Sequence, residues 1–278
     1  MSIIKSVRPS MIQLTSPTGT GYGEEWSIKL QAGLTYHAIE LETNLQSVET
    51  IKKITVDIGG VPVVSVTNKM LDVLDKAYKR YQETGRFVLP LSNFDYLTPQ
   101  GKYQTQLVTT LTDDVTLKIE FGEKSSSDPS VPTLSGKAYV SNTDRAGRVF
   151  KPTRYELVQH AAAAGDHEWV MPNTGLNRFI QRMVFDESEV TINKIKVKRG
   201  SRVIETLTRA DIEYGLKRYA DVAPQSGYLI LDFTLFGFGS NGALPSAGVS
   251  FEFEVNKNGA IKTYVEGFDQ LVNTQPAM

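Results

Sequence analysis

Val115-Thr116-Leu117-Lys118-Ile119-Glu120-Phe121 and Val249-Ser250-Phe251-Glu252-Phe253-Glu254-Val255 are two versions of one strand. In the first, Val115, Leu117, Ile119 and Phe121 alternate with Thr116, Lys118 and Glu120. In the second, Val249, Phe251, Phe253 and Val255 alternate with Ser250, Glu252 and Glu254. An apolar residue at every second position marks a strand buried on one face. The offset between the two is even, which keeps the apolar set on the same side, as a shared fold requires. Upstream, the correspondence continues in the same order. Ile51, Lys53, Ile54, Val56 and Gly59 reappear, all at one offset, as Ile192, Lys194, Ile195, Val197 and Gly200. Glu25-Trp26 and Gly33-Leu34 return as Glu168-Trp169 and Gly175-Leu176, and Lys79-Arg80-Tyr81 as Lys217-Arg218-Tyr219. Ordered matches at nearly constant spacing point to a duplicated module. The period is far too long for a solenoid and suits two domains of ordinary size.

Within each copy the remaining signals are mostly of strands. Trp26, Ile28 and Leu30 alternate with Ser27 and Lys29. Leu34–Leu41 is rich in β-branched and aromatic residues, and Gly59-Gly60 offers a tight turn between Ile54–Ile58 and Val61–Val66. One helix follows. Met70, Leu74, Ala77/Tyr78 and Tyr81 recur at helical spacing, with Thr67 or Asn68 as N-cap and Gly85 as stop. Its counterpart carries Ile212, Leu216 and Tyr219, with Thr208 and Asp211 as a capping pair. Strands resume at 87–94 and 228–236, and Asn258-Gly259 turns the chain into Ile261–Val265. Many short strands with one helix per copy indicate an all-β protein of two tandem jelly-roll sandwiches. Composition places the boundaries at an irregular Gly/Pro-rich arm (1–23), a first jelly roll (24–124), a Ser/Pro-rich linker (125–149), a second jelly roll (150–268) and a tail (269–278).

Composition removes several function classes. A net charge of −1 gives no bulk attraction to nucleic acid. No cysteine is present for disulfides or thiolate chemistry, and no apolar run is long enough to span a bilayer. Gly237-Phe238-Gly239-Ser240-Asn241-Gly242 matches a dinucleotide fingerprint in letters, but no helix can open after it, so it reads as a surface loop. Gly19-Thr20-Gly21-Tyr22-Gly23 likewise reads as a flexible arm rather than a phosphate cradle. His160 and His167, with Glu168, are too few for a metal centre. Asp113-Asp114 in a turn, with Asp95, Glu123 and Asp128 as candidate neighbours, are the only weak calcium ligands, and paired acids of this kind also suit a glycosidase. No catalytic or cofactor-binding residue is assigned. Trp26 and Trp169 read as matched core anchors, with carbohydrate stacking as the rival role. A doubled β module without chemistry suggests a building block.

Ser27-Ile28-Lys29-Leu30, Gly33, Thr35-Tyr36 and Ile39-Glu40-Leu41 resemble the first strands of the major capsid proteins of corticovirus-type bacteriophages, which are tailless and contain a membrane. The Ile54–Ile58 strand, the Gly-Gly turn and the helix follow in that family's order. The resemblance is specific over residues 25–65 and architectural elsewhere. It implies a double jelly roll that forms homotrimers of six-sided outline. Such capsomers would tile an icosahedral shell around an internal membrane, in contact with neighbouring capsomers and vertex proteins. The arm would meet the membrane, structural calcium is compatible, and the protein would be made in the host bacterial cytoplasm and reside in the virion. Two other readings share the architecture: a glycan-processing hydrolase with acids at the module junction, and a lectin-like protein using the two tryptophans.

Overall fold

The computed structural model describes residues 9–93, 104–142, 149–235 and 243–271. Arm residues 1–8, Phe94, Asp95, Phe236 and the Gly237–Gly242 motif lie outside them.

Among the described residues, eighteen strands and the helices Asn68–Ala77 and Arg209–Tyr219 follow one another as two copies of the same series. The first copy runs β1 (Ser10–Gln13), β2 (Glu25–Leu30), β3 (Leu34–Thr43), β4 (Ile51–Ile58), β5 (Val61–Val66), α1 (Asn68–Ala77), β6 (Arg86–Pro90), β7 (Leu107–Val108), β8 (Val115–Phe121) and β9 (Leu134–Asn142). The second runs β10 (Phe150–Ala161), β11 (Gly165–Val170), β12 (Arg178–Asp186), β13 (Ile192–Arg199), β14 (Arg202–Thr208), α2 (Arg209–Tyr219), β15 (Tyr228–Asp232), β16 (Leu244–Pro245), β17 (Val249–Val255) and β18 (Gly259–Gln270). The first sandwich packs β1-β9-β3-β6, with β7 on β3, against β5-β4-β8-β2. The second packs β10-β18-β12-β15, with β16 on β12, against β14-β13-β17-β11. In each, the chain passes back and forth between the two sheets, except that the β4–β5 and β13–β14 hairpins stay within one sheet and the short β7 and β16 share the sheet of β6 and β15, which is jelly-roll connectivity.

The duplication extends to backbone irregularities. Pairing of β4 slips against β8 between Ile51 and Lys53, and against β5 between Val56 and Asp57. Pairing of β13 slips against β17 between Ile192 and Lys194, and against β14 between Val197 and Lys198, at the same offset that carries Ile51 onto Ile192. A third bulge, at His37 between β3 and β9, recurs at Gln181 between β12 and β18. Bulges fix strand register and bend, so their recurrence shows that the two modules share one frame. Gly59 and Gly60 take φ of +60° and +80° in the β4–β5 turn, and Gly200 takes +58° in its equivalent.

Both helices start where the threonines predict. The Thr67 hydroxyl accepts from Met70 N, and Thr208 with Asp211 forms a reciprocal capping box. Gly85 is not the stop of α1. The helix ends at Ala77, and Lys79, at φ +53°, turns the chain away. Lys79-Arg80-Tyr81 therefore lies beyond α1, whereas Lys217-Arg218-Tyr219 lies inside α2, so this sequence match is not a structural one. In the frame that relates β4 to β13, the counterpart of Tyr219 is Tyr78.

The module boundaries also move. Ser10–Gln13, within the supposed irregular arm, pairs with β9, and Leu134–Asn142, within the supposed linker, pairs with β3 along its whole length. The second module extends to Gln270. Strand β9 alternates as expected, but its inward positions include Gly136 and Ala138, which carry little apolar signal. The two sandwiches do not have separate interiors either. One apolar cluster runs from Trp26, Ile28 and Tyr36 through α1 to Phe185, Phe251 and Phe253. The sheets also join edge to edge, because β10 lies parallel to β5 through Arg154 and Val64 and makes one nine-stranded sheet.

Candidate functional site: the junction between the modules

The feature that demands a functional account is a row of charge across the second module. Asp232 on β15, Arg182 on β12, Glu266 on β18 and Arg154 on β10 are directly opposite one another on four adjacent strands. The signs alternate along the row. Arg182 donates from Nε and Nη2 to Asp232 Oδ2 at 3.1 and 3.0 Å, and from Nη1 to Glu266 Oε2 at 2.8 Å. Arg154 Nη2 lies 2.7 Å from Glu266 Oε1. All four residues are buried. Such a row is costly to bury unless each charge is paired, and here every charge faces one of opposite sign.

The lid over the row comes from the first module. The turn at Lys79 lays Tyr78 on this face. Its hydroxyl donates to Asp232 Oδ2 at 2.5 Å, and the Arg182 guanidinium stacks on its ring, 4.3 Å from the centroid. Arg80 approaches the same ring at 5.4 Å. Thr234 donates from its backbone N–H and its hydroxyl to Asp232 Oδ1 at 2.7 and 2.6 Å. Nearby, Ala223 N donates to Ala77 O at the end of α1 at 2.8 Å, and Lys79 pairs with Asp221. The second module's outer sheet face is thus closed by the first module's helix end.

The titration behaviour follows from this closure. Burial alone would raise the Asp232 carboxyl, but the Arg182 charge and the hydrogen bonds from Thr234 and Tyr78 outweigh it and hold the group below its usual value. Glu266 is held low in the same way, burial being outweighed by Arg154 and Arg182. Burial pushes the Tyr78 phenol well up, so it remains a donor. This arrangement fastens two surfaces. It presents no nucleophile and no base aimed at an open cavity.

Periodicity does not predict the row, although a signal exists. Met183-Val184-Phe185 and Leu229-Ile230-Leu231 are apolar without alternation, the mark of strands covered on both faces. Their first-module counterparts alternate, as in Ile39-Glu40-Leu41.

The residues singled out in the sequence fall elsewhere. Asp113 Oδ2 accepts from Thr110 N at 2.6 Å within its own turn, and Asp114 pairs with Lys29. Asp128 is a loop clasp, accepting from Gln46 N, Ser47 N and the Thr50 hydroxyl. Among the described residues no group of three or more His, Asp or Glu side chains converges as a metal site. His160 is paired in the sheet with β18, while His167 is on β11 in the opposite sheet. Trp26 is buried, stacked on Phe121 at 4.5 Å, and donates from Nε1 to Gly21 O at 2.9 Å. A Cβ on Gly19 would come within 2.0 Å of the indole, so the glycine-rich segment is the lid of this tryptophan. Trp169 is half-buried against Phe251 and Phe253. It lies opposite Phe251, whereas Trp26 lies opposite Ile119, the counterpart of Phe253. The two tryptophans therefore share a face but sit one alternate position apart along the strand, and are not the same position.

Two jelly rolls in tandem on one chain, sharing a sheet and sealed by a buried junction, define the double jelly-roll class of viral capsid proteins. The comparisons with known proteins agree. Residues 11–141 match the family model for the viral coat protein P2 N-terminal domain, and residues 152–271 that for its C-terminal domain. The chain belongs to the viral coat protein P2 family; it is a major capsid protein, located in the virion capsid. Its fold is similar to that of the major capsid protein P2 from bacteriophage PM2, with a TM-score of 0.83 at 17% identity over 96% of this chain and 100% of that one. It is also similar to the major capsid protein of Sulfolobus Turreted Icosahedral Virus, with a TM-score of 0.68 at 12% identity over 95% and 98%. The PBCV-1 virus capsid gives a TM-score of 0.66 at 11% identity over 96% and 95%. A search of curated protein sequences gave no match.

Proposed function

We propose that three copies of this chain close into a capsomer of six-sided outline, and that these capsomers tile an icosahedral shell around an internal membrane. The observation that carries this reading is the junction itself. One jelly roll already packs side against side on the next within the chain, through a buried charged row and a helix end. A chain with two such wedges needs only three copies to complete a six-wedged ring, and cyclic closure leaves no module without a neighbour. The role requires no reaction, and the chemistry of the junction is that of an interface. The arm before β1 and the segment after β18 are the candidates for contact with neighbouring capsomers, vertex proteins or the membrane.

Light scattering on the purified protein is the test. The expected mass is three times 30.8 kDa, or a larger assembly of that unit, with six-sided particles in electron micrographs. A monomer at high concentration would count against the capsomer.

A further inference from the structure

Each module ends one of its sheets on an edge strand, β2 in the first and β11 in the second. The two are equivalent: Glu25 of β2 is opposite Glu120, and Asp166 of β11 is opposite Glu254, the counterpart of Glu120. The edges are finished differently. Residues 14–24 connect β1 to β2 and run back along the β2 edge. Thr18 N donates to Ser27 O at 3.0 Å, the Thr15 hydroxyl donates to Lys29 O at 3.5 Å, and the Trp26 indole donates to Gly21 O at 2.9 Å. Under this cover Trp26 is 3% and Ile28 0% exposed. In the second module only residues 162–164 connect β10 to β11, too few to run back along the strand. In the shared frame Trp26, Ser27, Ile28 and Lys29 correspond to His167, Glu168, Trp169 and Val170. Among the described residues nothing pairs with the outer edge of β11. His167 and Trp169 are only half-buried, Val170 is 74% exposed, and the Trp169 indole makes ring contacts but no hydrogen bond. The second module has the edge without its cover.

We infer that the missing cover comes from a second copy: residues 1–8 of one chain run along the outer edge of β11 in another and shelter Trp169, as residues 15–21 shelter Trp26 within the chain. The inference rests on the capsomer reading, which brings copies together, and names a contact of the arm. An unpaired strand edge is a template for an added extended segment. Eight extended residues span about 26 Å and the six of β11 about 20 Å, so the arm is long enough to follow the whole strand. The composition also fits. β11 carries Asp166 and Glu168 and no lysine or arginine, and both acids remain 55% and 56% exposed although each reaches a lysine on β13. Residues 1–8 carry Lys5 and Arg8 and no acid, with Ile3, Ile4 and Val7 to cover the indole. The donor is a second copy because a chain's own arm starts on the wrong side. β1 leads into the segment that lies on β2, and four strand spacings, about 19 Å, separate β2 from β10 in the nine-stranded sheet, with β11 in the second module's other sheet.

The absence of cysteine allows the contact to be trapped. A full chain carrying Val7→Cys and Val170→Cys, treated with a short bis-maleimide as the purified assembly, should give bands at two and three times 30.8 kDa on a denaturing gel, and neither single variant should. Both thiols joined at an unchanged 30.8 kDa would place a chain's own arm on β11 and overturn the second-copy donor. If the protein is trimeric by light scattering but gives no ladder, the docking is wrong and the capsomer stands. A wild-type protein that is monomeric throughout overturns both. A second readout is fluorescence quenching by acrylamide. Lys5→Glu with Arg8→Glu should open Trp169 to the quencher, and the gain should vanish when Trp169→Phe is added; quenching equal to that of the native assembly counts against the arm as the cover.

Discussion

Arg182→Ala probes the junction most directly. The guanidinium pairs with Asp232 and Glu266 and stacks on Tyr78, with side-chain exposure of only 5%. Its removal leaves Asp232 buried with only neutral donors, Tyr78 and Thr234, while Glu266 keeps Arg154. Breaking a buried pair by deleting one partner costs about 3–5 kcal/mol. At roughly 2–4 °C per kcal/mol for a domain of this order, melting should fall by about 6–20 °C at pH 7. The pH dependence separates this mechanism from simple loss of packing. In the native protein both carboxyls lie below their usual values, so their contribution is complete above about pH 4 and is lost as pH falls through the depressed values. In the variant, burial acts on Asp232 unopposed by Arg182, its carboxyl moves up, and the penalty of holding it ionised shrinks on acidification. The melting gap between native and variant proteins should therefore narrow from pH 7 to pH 5. A loss below about 2 °C at pH 7, less than the shift for 1 kcal/mol in a domain of this order, or a gap that widens on acidification, would refute the argument.

Three further outcomes are expected. Phe251→Asp should abolish folding of the second module, since Phe251 is fully buried on β17 and an unpaired buried carboxylate costs several kcal/mol; soluble expression and a native melt for this variant would reject the assigned strand face. Glu252→Lys, one residue along, would read as neutral from alternation alone, but Glu252 lies between Lys196 and Lys198, so reversal should lower melting measurably while Glu252→Gln costs only about 0.5 kcal/mol. Thr67→Ala and Thr208→Ala should each cost about 1 kcal/mol, read by chemical denaturation, because each removes the hydroxyl that caps its helix.

The features legible in the sequence are the local ones. The alternation of Val115–Phe121 and Val249–Val255, the Gly59-Gly60 turn and the two threonine caps depend on neighbours a few residues away, and the structure has each of them. Strands β1 and β9 escape such a reading because the first is short and the second faces the core with Gly136 and Ala138 among its inward residues. Their pairing partners lie far along the chain, so no window of sequence contains the evidence. The Lys-Arg-Tyr match misleads because it follows identity of letters, whereas the frame of bulges fixes the true offset. The charged row is hidden for a different reason. Arg182, Asp232 and Glu266 become one site only when three strands align and a tyrosine from the other module covers them, and half-exposed charges are the ordinary expectation for a sheet's outer face.

The placement of β18 has a consequence for how the chain is made. It is the most C-terminal of the described strands, and it pairs with β10, the first strand of its module, from Phe150 opposite Gln270 to Ala161 opposite Gly259. A ribosome releases the first sandwich for closure once Asn142 has emerged, because β9 is then available to β1 and β3. The second cannot close until β18 has emerged as well. Glu266, which holds both arginines of the charged row, travels on that same last strand. A chain that stops short of β18 therefore lacks both an interior strand of the second sandwich and the acid that holds the arginines beneath Tyr78. Closure of the second sandwich and completion of the charged row are therefore one event, governed by the arrival of β18.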